Sequence, residues 1–150
     1  LNVAHYQNGA KISSPNSMYP GFDLRDAIGG SFGTHLEKNT AIFADDTKDE
    51  QIAIIEFPQV TLINTIIYET GIGDPPRVPK QVVIDVSIDG ERWINIVKAG
   101  APTQDRTTYT FPDVKAKYVR FNFGLAGPQY QAGVLHSSST RISEIEIYHK

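Results

Sequence analysis

The sequence predicts an all-β sandwich of about eight short strands, and three observations carry that reading. Helical periodicity is nearly absent. Apolar residues alternate with polar ones or come in short runs, as strands require. Those runs are bounded by Gly, Pro, Asn and Asp, the residues that punctuate strands.

The clearest strand is 82–88. Val82, Ile84, Val86 and Ile88 are expected on one face, and Val83, Asp85 and Ser87 on the other. Asp89-Gly90 follows at once, a pair that tolerates the positive φ angles of a tight hairpin. The return strand, 92–97, carries the single tryptophan, Trp93. Further strands are expected at 10–14, 51–57, 61–68, 107–111, 117–123 and 142–148, with Pro58-Gln59-Val60 as a short connection. Three longer irregular stretches, 16–49, 70–80 and 124–140, have strands on both sides. Long loops on a rigid sandwich are where binding residues collect.

Length and composition narrow the function. A chain of 150 residues fits one domain, 1–150. With 40% hydrophobic and 10% aromatic residues it can build a core, which excludes disorder. Net charge is −3 and no Lys/Arg cluster occurs. Nucleic acid is therefore not an expected partner, and a polybasic membrane patch is missing. The absence of cysteine excludes a disulfide framework, a zinc ribbon and thiol catalysis. No apolar run is long enough to cross a membrane as a helix. The chain begins at Leu1, so a missing leader says little about its address.

Catalytic patterns are weak. Gly29-Gly30-Ser31-Phe32-Gly33 matches G-x-S-x-G, but that motif works only where a strand enters a helix. A Gly-rich turn is expected instead. Asp85-x-Ser87-x-Asp89-Gly90 resembles the start of an EF-hand loop, yet the closing position holds Ile96 rather than glutamate. His5, His35, His136 and His149 lack zinc-site spacing. Glu144 and Glu146 alternate onto one strand face in the manner of a glycosidase pair, but are expected as solvated surface carboxylates or, for one of them, as the anchor of a loop.

Six segments in order resemble one family. Asn2-Val3-Ala4 with Ala10–Ser14 resembles its opening, and Ala27-Ile28-Gly29-Gly30 sits where it has A-x-D-G. The stretches 54–57, 60 and 63–66 are similar to its first strand pair. Val86-Ser87-Ile88-Asp89-Gly90-Glu91-Arg92-Trp93 resembles its hairpin signature S-x-D-G-x-x-W. Residues 116–121 and 142–148 resemble a-R-Y-V-R-l and the closing i-s-E-i-e-v-Y. By these residues the chain is similar to the discoidin-like, factor V/VIII type C family, which includes carbohydrate-binding module family 32.

The resemblance implies an eight-stranded, galactose-binding-domain-like jelly roll with its first and last strands close together. It implies binding without catalysis: a glycan as partner, a monomer, and a secreted or cell-surface location, with the domain appended to a glycan-processing protein. Adhesion through protein or phospholipid is the alternative. Sugar sites combine an aromatic plane with a few polar groups. Candidates are Tyr130, Gln129 and His136 in the last loop, Arg77 in the Pro-rich loop, and Phe32 and His35 in the first. The alternatives are local: Tyr130 packing on its own loop, Phe32 as a core plug, Arg77 pairing with Asp74 or Glu69. The resemblance also implies a structural Ca²⁺ held by hard oxygens. Thr34 and Glu144 stand at matching positions, Gly29 stands where the family has Asp, and Asp26 lies nearby as a substitute. Without metal, Glu144 would accept hydrogen bonds from loop amides.

Overall fold

The computed structural model describes residues 1–29, 40–44, 50–71, 77–125, 139–150 and the backbone of 129–131 and 134–136. Among the described residues, ten strands occur in chain order. They are β1 (Lys11–Ser13), β2 (Ala41–Ile42), β3 (Glu50–Glu69), β4 (Gln81–Ser87), β5 (Ile94–Gly100), β6 (Arg106–Leu125), β7 (Gln129–Gln131), β8 (Val134–His136), β9 (Arg141–Ile142) and β10 (Glu144–Tyr148). Two short 3₁₀ helices, Tyr6–Asn8 and Leu24–Ile28, lie near the N-terminus.

β3 and β6 organise the sandwich. Each runs 20 residues, and they pair antiparallel from end to end. Register shifts between Glu56 and Thr61 and between Ile63 and Thr65 interrupt the ladder. An extra residue on one strand bends it, so each long strand changes partners partway. One layer runs β1–β3–β6–β4–β5, using residues 50–56 of β3 and 118–125 of β6. In the other, β10 joins residues 65–69 of β3, which face 106–110 of β6. The expected β-sandwich is therefore present, with β3 and β6 each serving both layers. The expected break at Pro58-Gln59-Val60 is instead a bend inside β3, and 107–111 and 117–123 are one strand rather than two.

Alternation fills the space between the layers. Ala53, Ile55 and Phe57 of β3, Val82, Ile84 and Val86 of β4, and Val119, Phe121 and Phe123 of β6 are buried from one side. Ile66, Tyr68, Ile145 and Ile147 close the core from the other, and all belong to one apolar cluster. Burying each large side chain contributes about 1.5–3 kcal/mol. Tyr68 brings a hydroxyl into this core and satisfies it by donating to the Arg141 carbonyl at 2.6 Å.

Ile88 does not join that core. It is 57% exposed because β4 ends at Ser87. The hairpin connection is longer than the two-residue turn expected from Asp-Gly. Asp89 Oδ1 accepts from Ser87 Oγ and from the amides of Glu91 and Arg92, and Gly90 takes φ +80°. β5 then starts at Ile94, one residue after Trp93.

The chain ends meet as expected. The Val3 amide donates to the Ile147 carbonyl at 3.0 Å, and Asn2 Oδ1 accepts from the Ile147 amide. Glu144 and Glu146 overturn the expectation of surface carboxylates: both are 1% exposed. They do occupy the outward face of β10, opposite Glu69 and Ile67, but that face is covered. Arg106 Nη1 lies 3.1 Å from Glu146 Oε2 and 3.4 Å from Glu69 Oε2, supplying the positive charge that buried carboxylates need. Tyr148 also donates to Glu146. Burial, and then this bond to a carboxylate, push the Tyr148 phenol up to about 12.

Candidate functional site

The long connections open from one end of the sandwich. Glu50 and Leu125 are register partners there, and Gln81 begins β4 beside Asn122. Asn122 ties this rim together. Its Nδ2 donates to Glu50 Oε2 at 2.6 Å, and its Oδ1 accepts from the Gly124 amide and Gln81 Nε2. The β4–β5 connection lies at the opposite end.

A small framework braces the loop end. β2 pairs with β9, Met18 bridges to Phe43, and the Phe43 amide donates to the Thr140 carbonyl. Gln51 Oε1 accepts from the Thr140 amide. Phe43 and Phe123 meet edge to face at 6.0 Å beneath. The segment 16–49, expected to be irregular, therefore contains β2, the Met18 bridge and the second 3₁₀ helix.

Arg77 belongs to this framework. Its carbonyl accepts from the Arg141 amide at 3.0 Å, and its guanidinium carbon sits 5.7 Å from the Tyr19 ring centroid. The stack on Tyr19 fastens the side chain to the framework; Asp74, one of the two pairing partners suggested by sequence, lies outside the described residues. Gly71 takes φ +80°, and a Cβ there would crowd Ser143 and Arg141 at 3.0–3.1 Å. Tyr19, Asn122 and Arg141 were not read as rim residues from sequence. Their roles come from pairing across the fold and leave no local motif.

The last connection forms a β7–β8 ribbon. Gln129 and His136 are register partners, and Tyr130 pairs with Leu135 one step along. The backbone thus brings Gln129 and His136 side by side. Phe32, Thr34 and His35 lie outside the described residues.

The other residues expected around a metal are dispersed in role. Asp26 sits in the second 3₁₀ helix, where burial and then Asp23 raise its carboxyl above the ordinary value, against the pull of Arg25. Gly29 closes that helix, and its carbonyl accepts from His5 Nε2 at 2.9 Å. Glu144 lies buried in β10. Among the described residues, no three His, Cys, Asp or Glu side chains are grouped to hold a metal ion.

Asp85 is bound to Arg120 and Asn95, and Asp89 is turned into its own hairpin.

Comparison with known proteins agrees with this architecture. The family model of the F5/8 type C domain matches residues 12–134. No curated protein matches the chain. Among solved structures, CpGH89CBM32-5 from Clostridium perfringens, in complex with GalNAc-β-1,3-galactose, shares 16% identity at a TM-score of 0.74, covering 99% of both chains. Chitosan-binding module 1 of a Paenibacillus sp. IK-5 chitosanase/glucanase shares 19% identity at 0.73, covering 99% of this chain and 98% of that one. A Streptococcus pneumoniae fucose binding module shares 14% at 0.75, covering 100% and 98%. At such identities the likeness is one of fold, and the family match covers most of the sequence. The chain belongs to the F5/8 type C domain family.

Proposed function

We propose that the chain is a non-catalytic glycan-binding module that grips sugars with the connections at one end of its sandwich. The observation that carries this reading is the braced rim. A hydrogen-bonded framework of Asn122, Gln51 and the β2–β9 pair holds the bases of the same connections that contain Arg77, Gln129, Tyr130 and His136. Rigid support lowers the ordering cost of binding, which a shallow sugar site needs. Solved structures of this fold include modules in complex with sugars. We place the domain, as one unit, beside a glycan-processing enzyme at the cell surface or outside it, where tethering raises local substrate concentration.

Ca²⁺ belongs to the same reading. Glu144 offers a buried pair of hard oxygens suited to Ca²⁺, and the second 3₁₀ helix packs against β10. Glu144 would hold the ion together with Thr34 and with Asp26 in place of the carboxylate that Gly29 lacks. The ion would neutralise buried charge and pin the first long connection to the last strand.

A glycan array probed with the isolated chain, followed by titration of any hit into Tyr130→Ala, tests the proposal. A saturable hit that weakens at least tenfold in the variant supports it. Binding to anionic liposomes with no glycan hit overturns it in favour of the adhesion alternative.

A further inference from the structure

A cavity lies away from the β7–β8 ribbon, between the edge strand β1 and the second 3₁₀ helix. It measures about 450 Å³, within the roughly 300–1,000 Å³ of small-ligand sites. Its floor is apolar, made by Ala10, Ile12 and Ile28, and Tyr6, Lys11 and Arg25 line the remainder. Its walls are tied together by a chain of contacts. The Gln7 amide donates to His5 Nδ1, which leaves the proton on Nε2, and Nε2 donates to the Gly29 carbonyl at 2.9 Å. The His5 ring stacks on Tyr6 with centroids 4.9 Å apart, and the Arg25 guanidinium carbon lies 4.7 Å from the Tyr6 centroid. The first 3₁₀ helix is thereby fixed against the second, and Arg25 is held in place before any ligand arrives.

Charge decides what fits. Lys11 and Arg25 are both exposed, and neither is in a salt bridge among the described residues. The nearby carboxylates are Asp23 and Asp26 on the helix and Glu56, the register partner of Lys11, which lies 4.0 Å from Lys117 Nζ. We propose that this cavity is a second ligand site, distinct from the β7–β8 ribbon, that takes a carboxylate-bearing monosaccharide. The planar fork of Arg25 suits a carboxylate bidentately, and Lys11 adds a second cation. The apolar floor meets the C–H face of the ring, and the Tyr6 hydroxyl reaches a ring hydroxyl. The choice of a sugar rests on the glycan-binding reading, while the need for an anion rests on Arg25 and Lys11 alone. A domain with two such sites would engage an acidic glycan at two points, or bridge two chains, gaining avidity.

The test is a titration of the whole chain by amide NMR with glucuronate, glucose and acetate. Glucuronate is expected to move the signals of residues 6–12 and 25–28 saturably, with glucose and acetate at least tenfold weaker. Arg25→Gln is expected to lower glucuronate affinity at least tenfold while the chain stays folded, its amide signals outside residues 5–12 and 23–29 unmoved, and Arg25→Lys to restore part of that affinity. Raised salt is expected to weaken the complex. No shift at these residues, equal shifts from acetate, or full affinity in Arg25→Gln overturns the proposal. Signals at residues 77–81 and 129–136 report the loop end separately, so failure here is distinguishable from failure of the glycan-binding reading.

Discussion

The guanidinium carbon of Arg120 lies 4.1 Å from the ring centroid of Trp93. Its Nη2 is held 2.9 Å from Asp85 Oδ2, and Tyr118 meets the indole edge-on at 6.5 Å. The tryptophan that marks the hairpin in the sequence thus packs on β6, over the arginine that is salt-bridged to Asp85 of β4. A cation over an aromatic face contributes about 0.5–2 kcal/mol, more when desolvated.

Trp93→Ala is expected to destabilise the fold by about 2 kcal/mol, below the 3–5 typical of a fully buried tryptophan because this ring is half-buried. Urea unfolding followed by far-UV circular dichroism checks this, since the substitution removes the single tryptophan. A loss below about 0.5 kcal/mol, the size of an ordinary surface change, would show that the stack is incidental.

Arg106 is expected to matter more than an arginine with a 40% exposed side chain normally would. Its partners Glu146 and Glu69 are buried, and removing the cation takes its positive charge away from both. Breaking a buried pair costs about 3–5 kcal/mol. Because Arg106 reaches solvent, Arg106→Gln is expected to cost about 2 kcal/mol. Adding Glu146→Gln to that variant should recover part of the loss, and a double-mutant cycle by thermal unfolding measures it. Strict additivity of the two substitutions would contradict the pairing.

Asp89 predicts an acid limb. Amide bonds from Arg92 and Glu91, then the Ser87 hydroxyl, lower its carboxyl from 3.8 to about 2. A depressed folded pKa means that its stabilisation is complete above the unfolded value and is lost as pH falls from about 4 through 2. Asp89→Asn should flatten the melting-temperature profile across that window and leave the slope at neutral pH unchanged. An unchanged acid limb in the variant would rule out this turn as a contributor.

Calcium should stabilise the native chain by mass action. The melting temperature is expected to rise with added Ca²⁺ and fall with a chelator, and Glu144→Gln should remove that response. Identical melting with and without Ca²⁺ would discard the proposed ion.

Much of the fold was legible because β4 obeys a two-residue period and its turn chemistry is explicit. The ends of β3 and β6 were legible for the same reason. Their continuity was not. Pro58 reads as part of a connection between two strands, whereas it falls in the stretch where β3 bends from one layer to the other. Alternation placed Glu144 and Glu146 on an outward face correctly. Their burial depends on Arg106 and on packing from distant segments, which no local pattern carries. At the rim, Arg77 could be named as a candidate, but its partner Tyr19 lies 58 residues earlier in the chain, and only the closed fold brings them together.

The central claim is that the loop end recognises sugar, and isothermal titration of an array-identified glycan into wild-type chain and Tyr130→Ala tests it most directly. Saturable one-to-one heat in the wild type, with affinity reduced at least tenfold in a variant of unchanged melting temperature, is the predicted result. Equal affinity in the two proteins, or no heat with any glycan, would contradict it.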